Sequence, residues 1–430
     1  MPAYTFRRIK KWLGLAFGLI ALQWNLPAQT SLQLNDLYRA LEQYHPFRQL
    51  NEAGKSVELQ QKKINALSTL PQTSFQGQAT WQSDVTEIPL TIPGLDIPGQ
   101  AHDQYRAVVE ISQSLYDGGA RKAMNEQASR VTVLEAANTE VHFIGLKETL
   151  CRTYYNALMA DLAIKQLELL SRDLDQKAVK LNNQIREGVV SGYQEASLQI
   201  KIKETRQNIL DAKKQKANGL KSLELLTGMK LDSTVQLTQL IQNPEDQAAK
   251  RPELVVLDAQ RKMQAAQFQL SNTKYQPRVQ VFGQLGYGRP GLNLLSDDFE
   301  PYSILGLRWQ WNLGNLYTRQ STREKKILQA NLDKVNIQED AFLLQQNIRE
   351  QAQRLEIENL DQLIKEDEAM IALHERVVRS SEAQFENGII TINEYATDTY
   401  NLSQARLKTD IHLALLSQSK ELLKLIHGKN

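Results

Sequence analysis

Two stretches of about seventy residues, Gly119 to Glu187 and Asn315 to Asn387, contain no proline and a single internal glycine, Gly145. Read as helices at 1.5 Å per residue, each would extend on the order of 100 Å. No compact globule uses a helix of that length, so the spacing predicts a coiled-coil-like arrangement in which long helices support one another. Each stretch runs into a glycine-containing turn and a returning helix, about Gly192 to Thr227 and Asn393 to His427, that covers roughly half the length. The uncovered remainder is expected to pair with two proline-bracketed segments, Pro46 to Leu70 and Pro252 to Gln276. In the second long stretch the neighbours Leu363/Ile364, Met370/Ile371 and Val377/Val378 recur every seven residues and lay two apolar stripes on one helix. Two stripes allow a neighbour on each side, as in the staves of a cylinder; one broad face against a globular core is the competing arrangement.

The chain is one unit written twice. Pro46 and Pro71 correspond to Pro252 and Pro277, both offset by 206, and PQTSFQGQ after Pro71 corresponds to PRVQVFGQ after Pro277. REGVVSGYQEASLQ at Arg186 to Gln199 corresponds to ENGIITINEYATDT at Glu386 to Thr399, and Gly188/Gly388, Arg206/Arg406 and Gly228/Gly428 share an offset of 200. The expected division is a leader over residues 1–28, a first repeat over 29–235, a linker or belt over 236–250 and a second repeat over 251–430.

Each repeat also holds a strand pair. Thr73 to Trp81 alternates Phe75, Gly77, Ala79 and Trp81 with polar residues, and Leu305, Leu307, Trp309 and Trp311 alternate with Gly306, Arg308, Gln310 and Asn312. Tyr105 to Leu115 and Val279 to Tyr287 complete a set of four. The connecting segments, with Pro89, Pro93, Gly94, Pro98 and Gly99 in the first and Pro290, Gly291 and Pro301 in the second, predict hairpins with long irregular tips.

Composition narrows the function. Hydrophobic residues make up only 41% of the chain and the mean hydropathy is −0.45, which suits a thin, elongated protein. A net charge of +2 supplies no basic field for nucleic acid. Arg7, Arg8, Lys10 and Lys11 precede an apolar run from Trp12 to Leu22 and the small residue Ala28, the pattern of a secretory signal, with the mature chain starting near Gln29. The run is shorter than a membrane-spanning helix needs. The lone Cys151 lies within a helical pattern, so neither an intramolecular disulfide nor an N-terminal lipid anchor is expected. The six histidines lack metal-ligand spacing, and the glycines from Gly283 to Gly288 fall in a strand rather than in a phosphate loop. No catalytic constellation, cofactor or metal site is expected.

An exported chain whose strands carry tryptophan on their apolar face points to an outer-membrane barrel, because a bilayer admits only helices or closed barrels. Four strands cannot close one; two chains would give eight strands and three would give twelve, wide enough for a water-filled lumen. On this reading Leu305, Leu307, Trp309 and Trp311 face lipid, while Arg308, Gln310 and Asn312 face water.

The duplicated plan, the SQSLYDGGARKA segment at Ser112 to Ala123 and the two glycine turns together resemble the TolC family of outer-membrane efflux proteins. The resemblance covers about Ser31 to Gly428. It implies a mainly α fold with a β-barrel part: duplicated long helical hairpins forming an α-barrel, and four transmembrane strands per chain that make a twelve-stranded barrel in a homotrimer. It also implies an outer-membrane location with a long periplasmic extension, and coupling to a periplasmic adaptor and an inner-membrane pump of RND or ABC type. Asp117, Gly118, Gly119 and Arg121 match the family's strand-to-helix motif, whereas Leu313, Gly314, Asn315 and Arg319 are a degenerate second copy.

The resemblance also assigns the tips. Phe385 and Glu394 occupy the family's pore aromatic and pore carboxylate positions, with Asp398 beside the second carboxylate position, which is Thr397 here. The family's gate arginine is replaced by Ile390 and its acidic partner in the first repeat by Gln194, so apolar contacts around Phe385 and Ile390 are expected to hold this gate. Three copies of Glu394 around a narrow opening would concentrate cations and raise one another's pKa; a solvated first-turn acid is the alternative role for this residue. Gly188, Val189 and Val190 in one turn, and Gly388 and Ile389 in the other, are expected to meet the adaptor, since exposed apolar residues at a tip need a partner. Two other kinds of protein remain open: a periplasmic adaptor, which would carry one hairpin and lipoyl-like β modules, and a structural coiled-coil protein.

Overall fold

The computed structural model describes residues 31–86, 100–186, 191–238, 251–293 and 296–428, apart from the side chains of Ser31 and Gln184. The expected leader, the proline-rich loop over 87–99, most of the linker and the first tip with Gly188, Val189 and Val190 lie outside the described residues.

In chain order the elements are β1 (Ser31–Leu32), α1 (Leu34–Tyr44), α2 (Phe47–Leu67), β2 (Gln72–Trp81), β3 (Asp103–Tyr116), α3 (Ala120–Arg186), α4 (Gly192–Thr227), β4 (Gln236–Leu237), α5 (Pro252–Asn272), β5 (Arg278–Arg289), β6 (Glu300–Gln310), α6 (Gly314–Thr318), α7 (Gln320–Glu386) and α8 (Ile392–Ile426). α3 and α7 are each 67 residues long. The one correction among the helices is in the second repeat, where the helix expected to run unbroken from Asn315 is interrupted. Arg319 takes a left-handed φ of 52° between α6 and α7. Asn315 compensates by accepting a hydrogen bond from the Ser321 amide at 2.8 Å, which restarts the helix.

The chain forms two compact units that cut across the repeats. One comprises residues 1–45, 147–245 and 353–424; the other comprises 46–146, 246–352 and 425–430. In the first, Leu37, Leu41, Leu150, Tyr154, Tyr155 and Leu223 are buried. Its two-stranded parallel sheet, β1 with β4, is clasped by the Tyr154 hydroxyl, which accepts from the Thr238 amide at 3.0 Å and lies 2.9 Å from the Leu32 carbonyl. Cys151 is buried beside Tyr38, and desolvation pushes its thiol up to about 12. That environment keeps the sulfur protonated and inert.

The second unit contains one antiparallel sheet in the order β2-β3-β5-β6, so the two predicted hairpins join through β3 and β5. β2 and β6 are free edges of 10 and 11 residues.

Candidate functional site

Two surfaces carry the chemistry of the molecule, one in each unit.

The register of the sheet sorts its residues by face. Phe75 pairs with Val109, Val109 with Leu285, Val281 with Leu307, and Val279 with Trp309. Paired residues share a face, so Phe75, Ala79, Trp81, Tyr105, Val109, Ile111, Leu285, Tyr287, Leu305, Leu307 and Trp309 form a single apolar surface. It is open: Phe75 is 73% exposed, Leu305 84% and Leu307 72%. Aromatic rings mark both ends of it. Phe299 stacks on Tyr287 and Tyr105 at the loop end, and Trp309 meets Trp311 at the helix end with ring centroids 6.3 Å apart. Tyr287 and Val279, at the levels of the two bands, are eight residues apart on β5. That is about 26 Å along the strand, or about 20 Å in height for strands tilted by roughly 40°.

The opposite face is polar, with Gln76, Gln78, Gln280, Gln284, Ser112, Glu110 and Arg308. Glu110 accepts from Gln284 at 2.6 Å and from Arg308 at 3.3 Å, and the Arg308 guanidinium lies 4.6 Å from the centre of the Phe282 ring. Two glycines on this face accommodate rings from the next strand. A Cβ at Gly286 would lie 2.1 Å from the Tyr302 ring, and one at Gly306 would lie 2.9 Å from Phe282. The sequence alternation therefore identified the two faces, and the structure adds the ring-over-glycine packing.

In the first unit the second tip is built from the ends of α7 and α8. Ile389 donates to the Gln384 carbonyl at 2.9 Å and Gly388 to the Phe385 carbonyl at 3.0 Å, with Gly388 at φ 70°. This is a Schellman ending, in which the left-handed position explains the glycine. Thr391 then opens α8 through a reciprocal capping box: its amide donates to Glu394 at 2.7 Å, and its hydroxyl oxygen accepts from the Glu394 amide at 3.3 Å. Ile389, 71% exposed, stands between these two motifs.

Phe385 is buried, stacks on Tyr395 at 5.7 Å, and belongs to a cluster with Leu174, Leu181, Leu198, Ile202 and Ile392. Ile390 packs against the same cluster. Phe385 and Ile390 are thus brought together within one chain. Gln194 sits in the first turn of α4, its amide donating to Ser191, and Asp398 accepts from the Ser381 hydroxyl.

Glu394 points back at its own helix start. The Thr391 amide, and after it the Thr391 hydroxyl, hold its carboxyl below the usual range, a direction opposite to the one expected from a crowded ring of carboxylates. Sequence reading also missed a set of charges inside the cluster. Lys177 of α3 donates to Glu382 of α7 at 2.6 Å and lies 4.7 Å from the Tyr395 ring centre, while the Tyr395 hydroxyl reaches Asp173 at 3.3 Å. Burial raises Asp173 and outweighs the pull of Lys177. Burial lowers Lys177, but Glu382 and the neighbouring acids outweigh it and leave the ammonium raised.

The two apolar stripes of α7 behave differently. Ile364 and Val378 pack within the chain, whereas Met370 and Val377 are exposed. Among the described residues no cluster of His, Cys, Asp or Glu could hold a metal ion, and no helix is long and apolar enough to cross a membrane.

No protein-family model matches this sequence, and no curated protein matches it. Solved structures do. The chain is similar to the CmeC outer membrane channel of Campylobacter jejuni, with a TM-score of 0.65, 14% identity, and coverage of 92% of this chain and 85% of that one. It is similar to CusC, whose structures concern folding and transmembrane channel formation, with a TM-score of 0.67, 13% identity and 93% coverage of both chains. It is also similar to the outer membrane protein VceC of Vibrio cholerae, with a TM-score of 0.62, 13% identity, and coverage of 91% and 94%. The chain has the fold of these outer-membrane channel proteins.

Proposed function

We propose that this protein is one protomer of an outer-membrane channel of the TolC kind, three copies of which close a barrel and conduct passively from periplasm to exterior. The observation that carries the reading is the sheet, with one face mainly apolar and exposed, the other mainly polar, and, among the described residues, both edges unpaired. In water such a sheet would aggregate through its edges. In a bilayer its apolar face is favourable, and the edges are satisfied if β6 of one copy pairs with β2 of the next until the barrel closes. Twelve strands result from three copies, with the Gln-rich face and the Glu110–Arg308 pair lining the lumen.

On this reading the tip segments are the periplasmic ends. Gly188, Val189, Val190, Gly388 and Ile389 meet an adaptor, and an inner-membrane pump supplies the energy, so the chain itself needs no catalytic group. The gate is held by the cluster around Phe385 and Ile390, which the buried burial and stacking of Phe385 support. Glu394, Asp398 and Gln194 lie near the opening on this reading, with Glu394 folded back onto Thr391 and Asp398 bonded to Ser381.

The mass of the detergent-solubilised protein tests the assembly: three copies are expected, and a stable monomer with intact strand structure would refute it. Charged substitutions at Val189 and Ile389 test the docking surface. They should abolish efflux while the trimer still forms; undiminished efflux would remove the tips from the adaptor contact.

A further inference from the structure

The two strand-to-helix junctions are equivalent by repeat but differ in construction. After β3 the chain turns at once: Asp117 accepts from the amides of Gly119 at 2.9 Å and Arg121 at 2.8 Å, Gly118 and Gly119 take φ of 68° and 83°, and α3 begins. After β6 the chain interposes α6, whose start is fixed by Asn312 accepting from the Gly314 amide at 3.0 Å. The interposed residues are apolar and open to solvent, with Leu316 75% exposed and Tyr317 82% exposed. They follow directly on Trp309 and Trp311, which mark the helix end of the apolar face.

Cations come next. Arg319, at the junction of α6 and α7, and Arg323, Lys325 and Lys326, in the first turns of α7, are exposed, as are Arg121 and Lys122 at the start of α3. Glu324, the acid between Arg323 and Lys325, is engaged by Ser271 at 2.6 Å and Tyr275 at 3.1 Å. β3 and β6 both end at this side of the sheet, because Tyr116 and Trp309 share the partner Val279. Apolar surface, then amphipathic aromatics, then cations is the sequence of environments from hydrocarbon through the interface to the phosphate layer.

We propose that α6 and the first turns of α7 and α3 form a binding site for anionic phospholipid headgroups in the periplasmic leaflet. Leu316 and Tyr317 lie in the interfacial layer, and Arg323 and Lys326, three residues apart on one face of α7, pair with headgroup phosphates together with Arg319 at the junction just before it. The inference rests on the barrel reading, and it extends the membrane contact beyond the strands.

Full-length protein carrying Cys151→Ser, labelled through either Leu305→Cys or Tyr317→Cys, would be reconstituted into bilayers containing brominated phospholipids. Leu305→Cys should be quenched by bromine deep in the acyl chain and Tyr317→Cys by bromine near the headgroup. Quenching at position 305 without quenching at 317 would overturn the site while leaving the barrel intact, as would burial of 317 against a neighbouring copy. Absence of quenching at both would remove the barrel reading itself. Lipid retention measured by native mass spectrometry provides the second arm. The wild type should keep phosphatidylglycerol over phosphatidylcholine, and Arg319→Gln/Arg323→Gln/Lys326→Gln should lower that preference by on the order of tenfold. An unchanged preference would overturn the proposal.

Discussion

At the scale of single residues, Glu394 separates two roles that the sequence alone could not. Its carboxylate completes the capping box with Thr391, and on the channel reading it also places negative charge near the opening. Glu394→Gln keeps a hydrogen-bonding side chain at the cap and removes the charge. Its channels should lose cation preference without losing the tip structure; unchanged selectivity would leave the residue with its capping role only. The pH dependence follows from the sign of the shift. The folded carboxyl titrates below its ordinary value of 4.5, so the cap's stabilisation is fully present above that value and is lost as pH falls through the lower folded value. Amide-exchange protection around 387–394 should therefore weaken on acidification in the wild type and stay flat in Glu394→Gln. Phe385→Ala empties a buried ring site stacked on Tyr395, which should cost about 3 kcal/mol and raise conductance by loosening the gate. In the sequence Glu394 stood only as a first-turn acid or pore carboxylate, and its capping box with Thr391 emerges in the fold. The burial of Phe385 and the Lys177–Glu382 pair were not readable, because they depend on how separate helices pack.

At the scale of elements, helix and strand identity was legible because the periodicities are long and clean. The four strands were placed to within a few residues, and α3, α4 and α8 start and stop almost where proline, glycine and cap residues put them. The break at Arg319 was not foreseen, because a left-handed arginine carries no composition signal and the degenerate junction motif only marked the place. The glycines on the polar face were equally silent: in sequence Gly286 and Gly306 look like ordinary strand interruptions, yet each makes room for a ring. Gly286→Ala should displace the Tyr302 ring and destabilise the sheet by about 1–3 kcal/mol, measured by urea unfolding in detergent. Adding Tyr302→Ala should recover most of the loss, and failure to recover would mean that the glycine serves the backbone rather than the ring.

At the scale of the whole molecule, one principle runs through both units: surface that a single chain leaves unsatisfied. The sheet has two free edges and an exposed apolar face, and α7 keeps a second apolar stripe, Met370 and Val377, uncovered. The duplicated sequence announced a repeated plan, and each half of the element order carries a strand pair, a 67-residue helix and a shorter returning helix. The compact units were not legible, since they gather segments from both repeats and follow spatial packing rather than chain order. The cargo is set by chemistry outside this chain on the channel reading, so the strongest claim available from one protomer is conduction itself. Single-channel recording of the purified protein in planar lipid bilayers tests that claim most directly. The account predicts discrete conductance steps carried by a trimer and reduced in cation preference by Glu394→Gln; trimers that insert into the bilayer yet leave it electrically silent under every condition of pH and voltage would contradict it.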